Sequence, residues 1–440
     1  MRNCEATRWV LLAVLLSFVT SIGTVSAENW PQWRGARSDG VSIERDIALR
    51  WNKQRAIRWR APLPGQGGAT PVVWYQKIFL TSADGDDLVV MCLASDSGKT
   101  IWKTKVASGN QSARAGEGNS ASPSPSTDGS HVWVFFSTGI LACLDVDGQE
   151  VWKFDVAERF GTLDIQFGLT STPVVDGDDL YLQLIHGAMK RGDPNRTGKV
   201  IKLDKKTGAT RWEIDRVTQA EFECKHSYAS PFIYDDGNQR FLVVHGADCT
   251  TGHSLTDGKE IWRLAELNGP TKLNEQSNDP TFRFVASPLV IPGSIIVPTA
   301  KNGPAVAINA ESMLAGELSN NASALRWVYP TTPDVSIPLV VNGLVYFVQK
   351  NGKIQCVDVA TGKEYYSERL HNSEYRASPV YVDGHIYICA RDGMTSVLKA
   401  GKNFELVAEN DLGEPITASP VVANGVLYLR TFEALYSIKQ

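Results

Sequence analysis

Between residues 224 and 253 the sequence carries two cysteines and three histidines, residue types that bind zinc or copper. They are Cys224, His226, His245, Cys249 and His253. The spacing Cys-x-His…His-x3-Cys-x3-His matches no metal motif that we can justify mechanistically. Three interpretations therefore stay open: a metal site, a Cys224–Cys249 disulfide, and free thiols beside hydrogen-bonded histidines.

A second group of residues shares one position in a repeated pattern. Each is basic or imidazole and stands at or near the end of a short apolar run. These residues are His186, His245, Lys301, Lys350, Arg391 and Arg430, and Arg283, Arg376 and His226 stand just ahead of such runs. Charges of one sign around a cleft attract ligands of the opposite sign. We therefore predict a basic funnel for an anionic ligand. The alternative is that these side chains point into solvent or pair with nearby acids.

Motifs for catalysis are otherwise missing from the sequence. It contains no GxSxG nucleophile elbow, no Walker loop, no HExxH and no Rossmann fingerprint. Nothing in the sequence brings a Ser, His and Asp triad together. We therefore assign no catalytic residue, and we favour no resident metal, with the five Cys and His residues at 224–253 as the alternative.

The elements that must position these side chains follow from a repeated phrase. ASPVYVDGHIYICARDG at 377–393 returns as ASPVVANGVLYLR at 418–430, and each copy has the alternation and Gly turn of a β-hairpin. Eight copies recur in steps of 41 to 58 residues, which is typical of a β-propeller or a solenoid. The aligned prolines are Pro71, Pro123, Pro173, Pro231, Pro288, Pro338, Pro379 and Pro420.

A third strand, a Gly turn and an aromatic-marked fourth strand follow each hairpin, which favours four-stranded propeller blades. A large flat ring on the fourth strand can cover the seam between neighbouring sheets. These aromatics are Trp102, Trp152, Trp212, Trp262, Trp327, Tyr366 and Phe404. The sequence predicts an all-β, eight-bladed β-propeller of four-stranded antiparallel blades.

The eighth copy stops before a fourth strand. Residues 57–65, IRWRAPLPG, resemble the end of a unit but follow no hairpin. We predict that this N-terminal strand completes the last blade and closes the ring, which removes an open sheet edge. The alternative is a loose N-terminal arm.

Residues 1–27 have the pattern of a signal peptide. Arg2 and Arg8 precede an apolar run, and Val25-Ser26-Ala27 supplies small residues at the cleavage position. We predict a signal peptide at 1–27, an N-terminal arm at 28–56 and a propeller at 57–440. The protein is then exported, periplasmic or secreted, and soluble after cleavage. A net charge of -4 gives no reason to expect nucleic acid.

The repeat SPVV-x-G-x-x-Y…LD-x-x-TG-x-x-x-W resembles that of the PQQ-like, quinoprotein-alcohol-dehydrogenase-like propellers. The tryptophan-docking motif of that family is similar to LDKKTGATRW at 203–212 and VDVATGKEYY at 357–366. The resemblance extends to BamB-type outer-membrane assembly factors and to uncharacterised exported bacterial proteins. Two features depart from it: the chain has no Cys-Cys pair like that of the dehydrogenases, and Glu28, not a lipid-accepting Cys, follows Ala27.

The resemblance implies two functions of different classes. The first is a non-catalytic exported scaffold that binds a partner protein, a peptide or an anionic glycan or small molecule, without a cofactor. The second is an oxidoreductase that uses pyrroloquinoline quinone (PQQ) with calcium. Because the cysteine pair is missing, the sequence favours the scaffold.

Overall fold

The computed structural model describes residues 28–440 except 53, 115, 270–280, 312 and 313. The predicted signal peptide therefore lies outside the described residues. Eight four-stranded antiparallel sheets form a ring, so the predicted propeller is confirmed. In the first four blades, the strands run in order from the channel outward. Their bounds are Val72–Trp74, Lys77–Asp84, Asp87–Ala94 and Thr100–Ser108; Ser126–Thr127, His131–Phe135, Ile140–Asp145 and Glu150–Asp155; Val174–Asp176, Asp179–Leu184, Lys199–Asp204 and Thr210–Asp215; and Phe232–Asp235, Arg240–Gly246, Cys249–His253 and Glu260–Ala265.

The other four blades repeat this order, and the eighth takes its outer strand from the N-terminal part of the chain. The strands are Leu289–Ile291, Ser294–Pro298, Ala305–Asn309 and Leu325–Tyr329; Leu339–Val341, Leu344–Val348, Lys353–Asp358 and Glu364–Arg369; Val380–Val382, His385–Cys389, Met394–Lys399 and Leu406–Asp411; and Val421–Ala423, Val426–Arg430, Ala434–Ile438 and Ile57–Pro62.

Short elements decorate the ring. One α-helix spans Val156–Phe160, and two 3-10 turns span Phe222–Lys225 and Ala322–Ala324. The small strands are Val41–Ser42, which pairs with the inner strand of blade 7, Gly316–Glu317, which extends blade 4, and the two-stranded pair Ser112–Arg114 and Gly118–Asn119.

The ring is closed as the sequence predicts. Ile57–Pro62 pairs antiparallel with Ala434–Ile438, with Ala61 opposite Leu435. The strand covers the edge that the chain end would otherwise leave unpaired. Closure by an N-terminal strand is confirmed.

Outer-strand tryptophans seal the seams between blades. In five seams the indole N–H donates to a backbone carbonyl of the next blade at 2.9 to 3.3 Å. The ring also covers a glycine of that blade, where an added Cβ would lie within 2.9 Å of a neighbouring side chain. The pairs are Trp59 on Gly98, Trp102 on Gly148, Trp152 on Gly208, Trp212 on Gly258 and Trp327 on Gly362.

Two of the predicted aromatics behave differently. Trp262 is fully buried against Gly252 of its own blade and meets Phe241 edge-on. Phe404 lies two residues before the outer strand of blade 7, so its predicted position in that strand is wrong. It instead contacts Tyr366 of blade 6, with ring centroids 5.7 Å apart.

The residue before each repeat proline forms a ring of hydrogen bonds around the channel, which we call the hydroxyl ring. The backbone N–H of this residue donates to the side-chain hydroxyl of its counterpart in the next blade at 2.9 to 3.3 Å. Seven such bonds join eight blades. The members are Thr70, Ser124, Thr172, Ser230, Ser287, Ile337, Ser378 and Ser419.

Two details of the hydroxyl ring correct the sequence analysis. Ser124 precedes Pro125, so the repeat proline of blade 2 is Pro125 and the predicted alignment on Pro123 is wrong. Ile337 has no hydroxyl, and the seam between blades 5 and 6 therefore lacks the eighth bond.

Residues 30–34 cross the channel, and we call this segment the channel plug. Trp30 pairs with Val73 of blade 1, and the Pro31 carbonyl accepts from Thr127 of blade 2 at 2.8 Å. Trp33 packs against the core shared by blades 5 and 6. On blade 7, the Arg34 Nη1 donates to the Pro379 carbonyl at 2.6 Å. The plug thus touches blades on opposite sides of the ring.

Candidate ligand-binding cavity

A cavity of about 430 Å³ lies in the channel, and Trp33 of the plug forms part of its wall. The cavity opens on the face that carries the turns between second and third strands, such as those of Lys301 and Lys350. The connections from one blade to the next, which include Glu117 and Arg376, emerge on the same face. This is the face on which the sequence places the basic funnel.

Five members of the hydroxyl ring line this cavity: Thr70, Ser124, Thr172, Ser378 and Ser419. Each hydroxyl oxygen accepts a backbone N–H from the preceding blade. None of the five donates its own proton to a protein acceptor within the described chain. A hydroxyl carries one donor and two acceptor sites, so five O–H donors remain available to a ligand.

Four of the nine predicted funnel residues line the cavity: Arg283, Lys301, Lys350 and Arg376. Arg391 lies beside them, because Arg376 and Arg391 share the carboxylate of Glu117 at 2.8 and 3.3 Å. The Arg391 Nη2 also donates to the Gly116 carbonyl.

A second carboxylate, that of Glu374, joins the same cluster. It pairs with Arg376 at 3.3 Å, Arg391 at 3.1 Å and Lys350 at 3.5 Å. Burial opposes ionisation of Glu374, but Arg376, Arg391 and Lys350 outweigh it and lower its pKa. Much of the basic charge is therefore balanced by acids that the sequence analysis did not single out.

Elsewhere on the cavity wall, Arg283 is held by Glu223 at 2.7 Å and lies over the ring of Phe167 at 4.7 Å. Phe167 also contacts Tyr228, with centroids 6.2 Å apart. This wall is aromatic, and its cation is already neutralised. Its apolar rings suit an apolar portion of a ligand.

Two charged residues of the cavity, Lys301 and Asp334, make no ion pair with the rest of the described chain. Lys301 is exposed, and its Nζ lies 5.8 Å from the centre of the Phe282 ring. Asp334 is half-buried in the connection that leads into blade 6. These two groups and the loosely paired Lys350 are free to meet a charged ligand.

Apart from Arg391, the remaining predicted funnel residues are buried, His186 and His226 in loops and His245 and Arg430 in strands. His186 Nδ1 accepts the Asp164 N–H at 3.3 Å, and His226 Nε2 lies 2.9 Å from the Gly187 carbonyl. His245 Nδ1 lies 2.7 Å from the Thr250 hydroxyl. Burial lowers the pKa of His186 to about 4 and that of His245 to about 3, and it also lowers the pKa of His226.

Arg430 is also fully buried, with its Nη1 donating to the Ala69 and Thr81 carbonyls at 2.9 and 2.8 Å. Burial lowers its pKa to about 9. This arginine ties blade 8 to blade 1 inside the protein, and it does not line the cavity. The basic funnel as a nine-residue surface stays a prediction.

The cysteine and histidine group of blade 4 does not converge on one point. Cys224 and Cys249 are buried free thiols. The Cys249 Sγ accepts from Arg216 at 2.9 Å, and the Cys224 Sγ accepts from Asn268 at 3.3 Å. His253 bonds the Gly258 carbonyl and the Thr251 hydroxyl, both at 2.9 Å. In the described structure the thiols are free and the histidines are hydrogen-bonded, and the absence of a metal site stays a prediction.

PQQ with calcium needs a cage of oxygen ligands, commonly six to eight around the ion. Within the described parts of the chain, no three His, Cys, Asp or Glu side chains are arranged to hold a metal ion. The nearest basic cluster, Arg376 and Arg391, is occupied by Glu117 and Glu374. No PQQ or calcium ligand is therefore assigned among the described residues, and PQQ with calcium stays the alternative prediction.

The sequence could have indicated part of this site. The Ser or Thr before the proline belongs to the repeated phrase itself, and a hydroxyl at the start of seven of the eight blades is a visible signal. Glu117, Asp334 and Phe167 lie in connections outside the repeat, where no periodic pattern marks them.

The comparison with protein families agrees with the geometry. The family model described as outer membrane protein assembly factor BamB matches residues 48–189 and 86–368. The chain belongs to this family. Its PQQ-like propeller resemblance is thereby confirmed. Across residues 28–440 as described, no helix is both long and apolar enough to cross a membrane.

Two curated relatives carry the same BamB description. The protein of Moranella endobia (strain PCIT) is 22% identical over 257 residues, which cover 56% of this chain and 57% of the relative. That of Yersinia pestis is 27% identical over 241 residues, or 51% and 50%. The chain thus spans about half the length of these relatives.

Solved structures share the fold at low sequence identity. BamB from Moraxella catarrhalis is 14% identical with a TM-score of 0.60, covering 87% of this chain and 99% of that one. A europium-containing methanol dehydrogenase is 12% identical with a TM-score of 0.68, covering 92% and 90%. The quinohemoprotein alcohol dehydrogenase of Comamonas testosteroni is 14% identical with a TM-score of 0.64, covering 93% and 80%. These similarities show the architecture alone.

Proposed function

We propose that this protein is an exported, non-catalytic scaffold whose channel cavity binds an acidic segment of a partner protein. The observation that carries the proposal is the combination of five available O–H donors with two cations, Lys301 and Lys350, in one cavity. A carboxylate accepts hydrogen bonds only, and its bonds to such donors are strengthened by its charge.

The rest of the cavity supports a peptide-like ligand more than a compact inorganic anion. Phe167, Tyr228 and Phe282 offer apolar contact beside the cations. The unpaired carboxylate of Asp334 can accept from a backbone N–H or a basic side chain. A peptide carries all of these groups within a few residues.

The family supports a binding role over catalysis. The matched relatives are named outer membrane protein assembly factors, and an assembly factor acts on other proteins. Export is part of the proposal, and it rests on the signal-peptide pattern of residues 1–27. Fractionation of cells that express the full chain tests it, and a protein retained in the cytoplasm would contradict it.

Photocrosslinking tests the binding face. A benzoylphenylalanine at Phe282 lies in the cavity, and one at exposed Tyr75 lies away from it and serves as the matched control. We expect a discrete partner adduct from position 282 and none from position 75. Lys301→Glu, combined with the probe at 282, should weaken binding about tenfold, because like charges then face each other.

The crosslinked peptide identifies the ligand chemistry. An acidic partner segment is the expected result. Adducts of equal yield from positions 282 and 75, or yields unaffected by Lys301→Glu, would contradict the proposal.

A further inference from the structure

Glu28, the first described residue, has its backbone nitrogen buried against a carboxylate. The Glu28 N donates to Glu44 Oε1 at 2.6 Å. Both residues are almost inaccessible to solvent, at 8% and 7% exposure. Glu44 also accepts the backbone N–H groups of Asn424 at 3.1 Å and Gly425 at 2.9 Å. One buried carboxylate thus ties the N-terminal arm to the turn between the first two strands of blade 8.

The position of this nitrogen is fixed by the side chain of Glu28 itself. Its carboxylate accepts from the Ser42 hydroxyl and the Ile43 N–H, each at 2.9 Å. It also pairs with Arg37 at 2.9 Å. Four groups of the arm, Ser42, Ile43, Arg37 and Glu44, therefore hold residue 28 in place.

The two carboxylates differ in their charge balance. Glu28 has Arg37 as a counter-ion, whereas Glu44 forms no ion pair with any Lys, Arg or His of the described chain. A buried carboxylate without a cation is costly, even when backbone N–H groups satisfy its oxygens. A positive charge at the Glu28 nitrogen would balance Glu44.

Cleavage before Glu28 would create that charge. Val25-Ser26-Ala27 supplies the small residues that a signal peptidase accepts. Hydrolysis adds one water across the Ala27–Glu28 amide, leaving a carboxylate on Ala27 and an amine on Glu28. An α-amine has a pKa near 7.7–8.0 in model peptides, so it is mostly protonated at neutral pH.

We propose that the chain is processed between Ala27 and Glu28, and that Glu44 is the receptor for the new α-ammonium group. The ion pair between the new terminus and Glu44 then fixes the N-terminal arm to blade 8 and keeps the channel plug in place beneath the cavity. The processing step rests on the proposed export, whereas the receptor role of Glu44 depends only on a free amine at Glu28.

Two chains that differ by one residue test the receptor. One begins at Glu28, released from a fusion by a protease that leaves no extra residue, and the other retains Ala27. Urea unfolding at pH 7 should show an unfolding constant about tenfold larger for the chain with Ala27, as expected for the loss of a charged hydrogen bond. Equal unfolding constants would overturn the assignment.

Two substitutions locate the effect. Glu44→Gln removes the charge and keeps one acceptor oxygen, which can serve Asn424 or Gly425 but not both, because each bonds a different carboxylate oxygen. It should abolish the difference between the two chains. Glu28→Gln is the matched control, because it removes the partner of Arg37 and should leave the difference in place. A difference that survives Glu44→Gln would also overturn the assignment.

N-terminal sequencing of the exported protein tests the processing step separately. A terminus at Glu28 supports it, and any other terminus overturns it. Because these experiments do not involve the cavity, their failure is distinguishable from failure of the proposed partner binding.

Discussion

His245 makes the stability of blade 4 sensitive to acid. The ring is fully buried, its Nδ1 lies 2.7 Å from the Thr250 hydroxyl, and it meets Phe284 edge-on. Burial, followed by the nearby Arg216 charge, lowers its pKa from 6.5 to about 3. We predict that His245→Asn, which cannot take up a proton in this range, makes the protein less sensitive to acid.

The sign and size follow from proton linkage. Below pH 6.5 the unfolded chain binds a proton at this histidine, whereas the folded chain does not until about pH 3. Stability from this residue is therefore intact above pH 6.5 and is lost as the pH falls from 6.5 towards 3. A pH of 5 lies 1.5 units below the pKa of 6.5 of the unfolded histidine, so the free energy of unfolding falls by about 2 kcal/mol.

Urea unfolding at pH 7.5 and pH 5 measures this loss. His245→Asn lowers stability at both values because the contact with Phe284 is gone, but the drop between them should shrink by about 2 kcal/mol. His385→Asn is the control, since that ring lies at a partly exposed hairpin turn. An unchanged drop in His245→Asn would refute the reasoning.

Three further predictions concern the seams, a buried acid and the cofactor. Gly208→Ala should cost about 1–3 kcal/mol more than Gly177→Ala by thermal unfolding. Both glycines have positive φ, but only the Cβ at 208 would meet Trp152, at 2.9 Å. Equal losses of stability would therefore contradict the packing of Trp152 on Gly208. Burial raises the pKa of Asp248 from 3.8 to about 6, so the folded state loses stability as the pH rises from 3.8 to about 6. Asp248→Asn should therefore gain up to about 3 kcal/mol at pH 8 relative to pH 3.5, and a pH-independent difference between the proteins would exclude this. In calorimetric titration with PQQ, with and without calcium, we expect no saturable binding; micromolar binding that Lys350→Glu abolishes would favour the dehydrogenase alternative.

The fold was predictable from the sequence because every blade repeats the same local rules. A hairpin, a Gly turn and an outer aromatic recur, and the closing strand at 57–65 matched the missing part of blade 8. The repeat could not distinguish Pro123 from Pro125, since both follow a serine. Only the structure shows that Ser124, the residue before Pro125, accepts the hydrogen bond from Thr70 of the neighbouring blade.

The site was less predictable, because it depends on connections that do not repeat. Lys301 and Lys350 line the cavity as their position indicates, whereas His245 and Arg430 share that position and are buried. A strand end shows where a backbone leaves a sheet, but the neighbouring blade decides whether the side chain meets solvent. Glu117 reaches Arg376 and Arg391 from a connection more than 250 residues away in sequence, a distance that no local pattern encodes.

The hydrogen bonds of the hydroxyl ring all run in one direction around the propeller. The backbone N–H of each ring member donates to the hydroxyl of the next blade, from Thr70 to Ser124 and onwards, until Ser419 donates to Thr70. A blade inserted into the ring must therefore bring its own hydroxyl, or the backbone N–H of the blade before it loses its acceptor. The junction of blades 5 and 6 is the exception, because Ile337 offers no hydroxyl there and an inserted blade without one would break no bond of the ring.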